Sequence, residues 1–216
     1  MRFAAVIFDL DGTLLNSLAD IAAAANRVLQ ERHLPDHAVD AYRMFVGNGV
    51  RELMRRALPR ERRTEALVSD LEKRFRDVYA ESWDIRTAPY PGIPEMLAAL
   101  AERDIPMAVC SNKPHDFTVR YVRDYFDQWE FATIMGQNDH FPAKPDPAAA
   151  LEICRRLDIP PAAFLFVGDS AVDMKTALSA GMHAVGAAWG FRGPRELTEN
   201  GCQSLAAHPL EILNLL

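Results

Sequence analysis

The sequence predicts an α/β fold: a parallel sheet with helices on both faces, plus an inserted, small, all-helical unit after the first strand. Three observations carry this. Short apolar runs recur and each ends abruptly in polar residues, as strands buried on both faces do. Amphipathic helical stretches alternate with those runs, which implies right-handed βαβ crossovers. Between residues 17 and 82 the alternation stops and only helical patterns remain.

In chain order, residues 3–8 (FAAVIF) form the first strand, ending in Asp9-Leu10-Asp11-Gly12. Helical spacing over 19–29, 38–45, 50–58 and 62–79 builds the insert, and Pro89, Pro91 and Gly92 mark the return to βα alternation. A helix over 94–103 leads to a strand over 105–110 (IPMAVC) that ends in Ser111-Asn112. A helix over 116–125 and a weaker strand over 131–135 follow. The next helix, 147–157, takes Asp146 as N-cap and Pro147 in its first turn. The strand over 163–167 ends in Gly168-Asp169-Ser170, a helix spans 173–180, and a weaker strand spans 183–187. The expected division is 1–15 with 86–216 as the α/β core and 16–85 as the helical insert.

Composition excludes several classes. The chain has 216 residues, 49% hydrophobic and 25% charged, which is globular rather than disordered. Lys and Arg number 24 against 30 Asp and Glu, so there is no basic footprint for nucleic acid. Cys110, Cys154 and Cys202 are far apart, without metal-ligand spacing, and read as reduced thiols of a cytoplasmic protein. No apolar run approaches the ~18 residues of a membrane span. A single Arg2 and a short run broken by Asp9 do not make a signal peptide. Neither nucleic acid nor membrane is expected as a partner, and the chain is expected to be a monomer or homodimer.

The chemistry lies at the strand ends. Asp9 and Asp11 are two apart, so strand alternation would point them the same way, and Gly12 lets the backbone turn beside a ligand. Asp169 ends another strand, with Asp173 four residues on. Carboxylates gathered like this repel unless a cation relieves them, and hard oxygen donors suit Mg²⁺. Ser111 and Asn112, before a helix, offer a hydroxyl and N–H groups to a phosphate. Lys144 precedes Pro145-Asp146-Pro147, which restricts its backbone. A carboxylate nucleophile, a carboxyl acid/base, Mg²⁺ and a lysine suffice for phosphoryl transfer.

Asp9-Leu10-Asp11-Gly12-Thr13-Leu14, Ser111, Lys144 and Gly168-Asp169-Ser170-x-x-Asp173 resemble the four ordered motifs of the haloacid dehalogenase superfamily. The resemblance implies a Rossmann-like core and makes the insert similar to the family's helical cap domain. It implies that Asp9 is the nucleophile and Asp11 the general acid/base. It further implies that Asp9, Asp169 and the Asp11 backbone carbonyl bind Mg²⁺ with Asp173 supporting. Ser111 and Lys144 would hold the phosphoryl oxygens, and Thr13 would orient the loop.

Leu14–Ile21, Val46-Gly47-Asn48-Gly49-Val50, Ser111-Asn112-Lys113-Pro114 and Lys144-Pro145-Asp146-Pro147 resemble the phosphoglycolate phosphatase branch. That resemblance implies hydrolysis of a small phosphorylated metabolite, 2-phosphoglycolate, with Gly47, Asn48 and Gly49 offering helix amides to the substrate carboxylate and Thr13 and Asn112 in the phosphate site. Alternatives are a sugar phosphate or pyrophosphate as substrate, a β-phosphoglucomutase-like phosphotransferase, or a non-enzymatic phosphoacceptor switch. Gly12-Thr13 and Ile21 count against the mutase. Lys113 reads as a loop charge and Cys110 as packing. Arg51, Arg55 and Arg56 read as a solvated helix face, with binding of the substrate anion as the alternative, and Met44, Phe45, Phe75 and Tyr79 read as core of the insert.

Overall fold

The apolar runs pair in parallel into one six-stranded sheet, as a computed structural model of the chain shows. It describes residues 3–216; Met1 and Arg2, the latter used above in reading the N-terminus, lie outside the described residues. Two compact units divide the chain: residues up to Leu15 together with Pro89–Leu216, and Asn16–Ala88.

In chain order the elements are β1 (Ala5–Phe8), β2 (Leu15–Asn16), α1 (Leu18–Glu31), α2 (Tyr42–Phe45), α3 (Gly49–Ala57), α4 (Glu65–Ser82) and β3 (Ala88–Pro89). Then come α5 (Ile93–Glu102), β4 (Met107–Pro114), α6 (His115–Phe126), β5 (Thr133–Gln137), α7 (Ala148–Leu157) and β6 (Phe164–Gly168). The chain ends with α8 (Ala171–Ala180), β7 (His183–Ala187), α9 (Pro194–Glu199) and β8 (Ser204–Ala206). Short β2 and β3 pair where the chain passes between the units.

The first unit's sheet runs β5-β4-β1-β6-β7-β8. Every residue of β1, β4 and β6 is buried, which explains the apolar runs of β1, of β6 and of the first half of β4, whose second half is the polar Ser111-Asn112-Lys113-Pro114. Ile7 and Phe166 pack with Ala150, Ile153 and Met174 in one apolar cluster. Strand order reverses at β1, whose neighbours are β4 and β6. The crevice beyond the carboxyl ends at such a reversal is where open α/β sheets bind ligands. Asp9 follows β1, Ser111 lies in the last half of β4, and Asp169 follows β6.

The second unit is helical, with Val28, Leu71, Phe75, Val78 and Tyr79 in its interior. Phe75 and Tyr79 stack with centroids 5.2 Å apart. Met44, expected inside, is 60% exposed. The reason is that α2 is a single turn, too short to impose a helical period on its flanks. Buried Asp20 of α1 accepts hydrogen bonds from the N–H groups of Arg86 and Thr87 and from Thr87 Oγ1, each at 2.8 Å, and so ties the returning chain to α1. Asn48 is the N-cap residue of α3, between Gly47 and Gly49, both at positive φ. Arg56, expected to be solvated, donates to Asn48 Oδ1 at 2.8 Å and to the carbonyls of Met44 and Phe45, so it clasps this loop. Among the described residues no helix is long and apolar enough to cross a membrane.

Candidate active site

Asp9, Asp169 and Asp173 are brought together. Each offers a carboxylate oxygen, and these atoms lie within 4.8 Å of one another, all on buried residues. Asp173 reaches the group because α8 starts two residues before it, with Ser170 as its N-cap. Ser170 donates its N–H and Oγ–H to Asp173 Oδ2, at 3.1 and 2.6 Å. Asp173 Oδ1 accepts from Lys144 Nζ at 2.6 Å. Both Asp173 oxygens are therefore engaged by the protein.

Lys144 is the cation of the cluster. Besides Asp173, its Nζ donates to the Cys110 carbonyl at 2.8 Å and lies 3.0 Å from Asp9 Oδ1. Burial alone would lower its pKa, but the Asp173 and Asp9 carboxylates hold it above the ordinary lysine value. Asn112 fixes the backbone of this lysine. Its Oδ1 accepts from the Lys144 N–H at 2.8 Å and its Nδ2 donates to the Lys144 carbonyl at 3.0 Å. The Asn112 side chain thus serves Lys144 from both ends of its amide.

One ammonium does not balance three buried carboxylates. Burial, with Asp173 adding repulsion and Lys144 opposing, pushes the Asp9 carboxyl up to about 6. Burial, then the Asp173 and Asp9 charges, raises Asp169 well above the ordinary carboxylate range. The protein's hydrogen bonds go to Asp9 Oδ1, from the Leu10 N–H at 2.7 Å, and to Asp169 Oδ2, from the Phe191 N–H at 2.7 Å. The cluster gathers hard oxygen donors with surplus negative charge, which fits a divalent cation.

Asp11 stands apart from this cluster. Strand alternation would put it beside Asp9, but β1 ends at Phe8 and the chain curls. The N–H groups of Thr13, Leu14 and Leu15 all donate to the Leu10 carbonyl. Gly12 sits at φ +88°, and a Cβ there would come within 2.3 Å of Asp169 Oδ2, so only glycine fits the turn. Asp11 is held by Lys113, whose Nζ lies 3.2 and 3.1 Å from its two oxygens. The loop-charge reading of Lys113 is therefore corrected: it is a buried residue of β4. Thr13 is fully buried, with its Oγ1 lacking a hydrogen-bond partner among the described residues. Ser111 Oγ accepts from the Lys113 N–H at 3.3 Å. Cys110 is buried and its thiol is pushed up to about 12 by burial, which removes it as a nucleophile.

The segment after β7 carries contributions that the sequence did not reveal. Trp189 Nε1 donates to the Thr13 carbonyl at 2.9 Å, and the Phe191 N–H fixes Asp169. A Cβ on Gly190 would lie 2.3 Å from the Asp169 Cβ, so the chain passes there only as glycine. The positive charge of Arg192 opposes the rise in the Asp169 pKa. Gly47, Asn48 and Gly49 belong to the second unit.

Comparison with known proteins finds relatives that cover most of the chain. Residues 6–187 match the family model described as haloacid dehalogenase-like hydrolase. A phosphoglycolate phosphatase of Pseudomonas putida KT2440 is 38% identical over 200 residues, 89% of this chain and 72% of that protein. A phosphoglycolate phosphatase of Nitrosospira multiformis is 33% identical over 222 residues, 98% of this chain and 95% of its own. The crystal structure of a predicted phosphoglycolate phosphatase from Haemophilus somnus 129PT superposes with a TM-score of 0.92 at 28% identity, covering 100% of this chain and 98% of the other. The chain belongs to the haloacid dehalogenase-like hydrolase family, and within it is a phosphoric monoester hydrolase.

Proposed function

We propose that this chain hydrolyses 2-phosphoglycolate to glycolate and phosphate, with Mg²⁺, through an aspartyl-phosphate on Asp9. The observation that supports this most is the buried Asp9, Asp169 and Asp173 cluster around Lys144. The names of the relatives at 38% and 33% identity support the substrate.

Asp9 and Asp169, with the Asp11 carbonyl, would hold the metal, and Asp173 would support it through Lys144 and Ser170. Bound there, Mg²⁺ supplies positive charge against the phosphoryl oxygens and the buried carboxylates. Lys144 neutralises part of the Asp9 charge, which lets a phosphate dianion approach a carboxylate. Ser111 and the backbone amides at the strand ends orient the phosphoryl oxygens. An Asp9 oxygen bonds to phosphorus while the bond to the leaving oxygen breaks, and Asp11 gives that oxygen its proton. Asp11 then takes a proton from the water that attacks phosphorus, the bond to Asp9 breaks, and the carboxylate is regenerated. The Gly47-Asn48-Gly49 loop is assigned the reading of the substrate carboxylate. The three free cysteines accord with work in a reducing cytoplasm.

A panel of small phosphoesters, sugar phosphates and pyrophosphate, with Mg²⁺ and with chelator, tests the reading. Phosphoglycolate should give the highest kcat/KM, and chelator should abolish turnover. Asp9→Asn should lower kcat by at least about 10³-fold with the fold retained. Full activity in Asp9→Asn would overturn the mechanism, and a better substrate would overturn the substrate assignment alone.

A further inference from the structure

Lys113 is a buried cation that the scheme above leaves unused. Its side chain is 4% exposed and that of Asp11 is 18% exposed. The residue is held along its whole length. Its N–H donates to Ser111 Oγ at 3.3 Å, and its carbonyl accepts from Thr118 Oγ1 at 3.1 Å. Gly136 makes room for that stretch, since a Cβ there would lie 2.8 Å from the Lys113 carbonyl oxygen and 2.4 Å from Thr118 Oγ1. At the tip, Nζ sits 4.3 Å from the centroid of the Tyr121 ring, a cation–π arrangement. The same Nζ lies 3.1 and 3.2 Å from the two Asp11 oxygens.

A grip on both oxygens fixes the rotation of the carboxyl group, not only its position. Asp11 lies on the turn beyond the end of β1, outside the strand itself. Lys113 ties it to β4, which pairs with β1 over 107–109 and with β5 over 108–110 and at Pro114, next to Lys113. Proton transfer to a leaving oxygen is sensitive to misplacement on the scale of an ångström.

We propose that Lys113 is a positioning residue that aims the Asp11 carboxyl at the leaving-group oxygen. The inference rests on the reading of Asp11 as the acid. It predicts an effect that depends on the leaving group. An alkoxide such as glycolate needs a proton as it departs, whereas 4-nitrophenolate does not. The experiment measures leaving-group release in a single turnover, before the aspartyl-phosphate is hydrolysed, with both esters. Lys113→Met should slow release from phosphoglycolate by about 10²-fold and from 4-nitrophenyl phosphate by less than about 5-fold. Lys113→Arg should restore most of the loss. If Lys113→Met does not fold, Lys113→Gln, which retains a shorter stem and a donor, carries the same comparison. Equal slowing of both esters would assign Lys113 a structural role, and no slowing would assign it none; either overturns the inference. If the unsubstituted protein releases neither leaving group, the phosphatase reading itself fails, which is a separate outcome.

Discussion

The exposed ion pairs of the second unit and the buried charges at the strand ends of the first differ in kind. In the second unit Arg51 pairs with Glu65 and Glu72, Arg32 with Asp70, and Arg74 with Glu31, all on partly or largely exposed side chains. Several of these groups have more than one partner, and solvent screens each of them. In the first unit Lys144 faces Asp9 and Asp173 with its side chain only 3% exposed, and Asp169 completes a cluster with surplus negative charge. The surface pairs are mutually replaceable, whereas each member of the buried set depends on the others. Unrelieved charge in a protein interior is costly, so its persistence marks the place where a ligand completes the structure.

The largest effect should come from removing the buried cation. Lys144→Met leaves Asp9 and Asp173 without their ammonium partner. Breaking one side of a buried pair costs about 3–5 kcal/mol. Denaturant unfolding should show that loss together with loss of turnover. The deficit should shrink toward about pH 5, where the stranded Asp9 carboxyl, already raised by burial, takes up a proton. A variant as stable as the parent at neutral pH would dissolve the contrast between the units.

The second effect is pH-dependent. Asp9 is raised to about 6 and Asp169 well above the ordinary range, against about 3.9 in an unfolded chain. A raised folded pKa means that the native state binds the proton more tightly. That contribution to stability is complete below about pH 4 and is lost as pH rises through about 6 and beyond. With chelator, the Tm contribution of these groups should therefore fall on going from about pH 5 to about pH 8. Millimolar Mg²⁺ should raise Tm by a few degrees at about pH 8 and by much less at about pH 5, because the metal requires ionised carboxylates. Thermal melts at the two pH values, with and without Mg²⁺, check the sign. A larger Mg²⁺ effect at the lower pH would contradict the assignment of the buried carboxylates as ligands.

The same contrast explains what was legible in the sequence. β1, β6 and the first half of β4 could be read because burial on both faces leaves continuous apolar runs, whereas residues 111–114 of β4 read as the end of the strand. β8 could not, since it is three residues long and Leu205 is 46% exposed. Asp9, Asp169, Asp173 and Lys144 could be read because strand ends and local spacing point to them. Lys113 lies 102 residues from Asp11, and Ser-Asn-Lys-Pro looks like a turn until Tyr121 and Asp11 are seen around it. Trp189, Gly190 and Phe191 act through backbone groups and close approach, which leave no periodic trace. Arg56 was misread because its partners are loop carbonyls and Asn48, invisible to a helix-face argument. Local chemistry was therefore readable, and contacts that depend on distant chain segments were not.

The smallest effect should come from the exposed set. Arg74 donates to both oxygens of Glu31, at 2.7 and 2.9 Å, and holds that carboxyl below its ordinary pKa. Arg27, 3.5 Å from Glu31, remains as a second partner when Arg74 is removed. Arg74→Ala should leave kcat/KM unchanged and move Tm by no more than about 2 °C. Any shift should fade in high salt, because an exposed pair is screened and a buried one is not. Thermal melts at low and high ionic strength measure this directly. A salt-resistant loss of many degrees would mean that the second unit, like the first, depends on individual charges, and the distinction between the two would rest on burial alone.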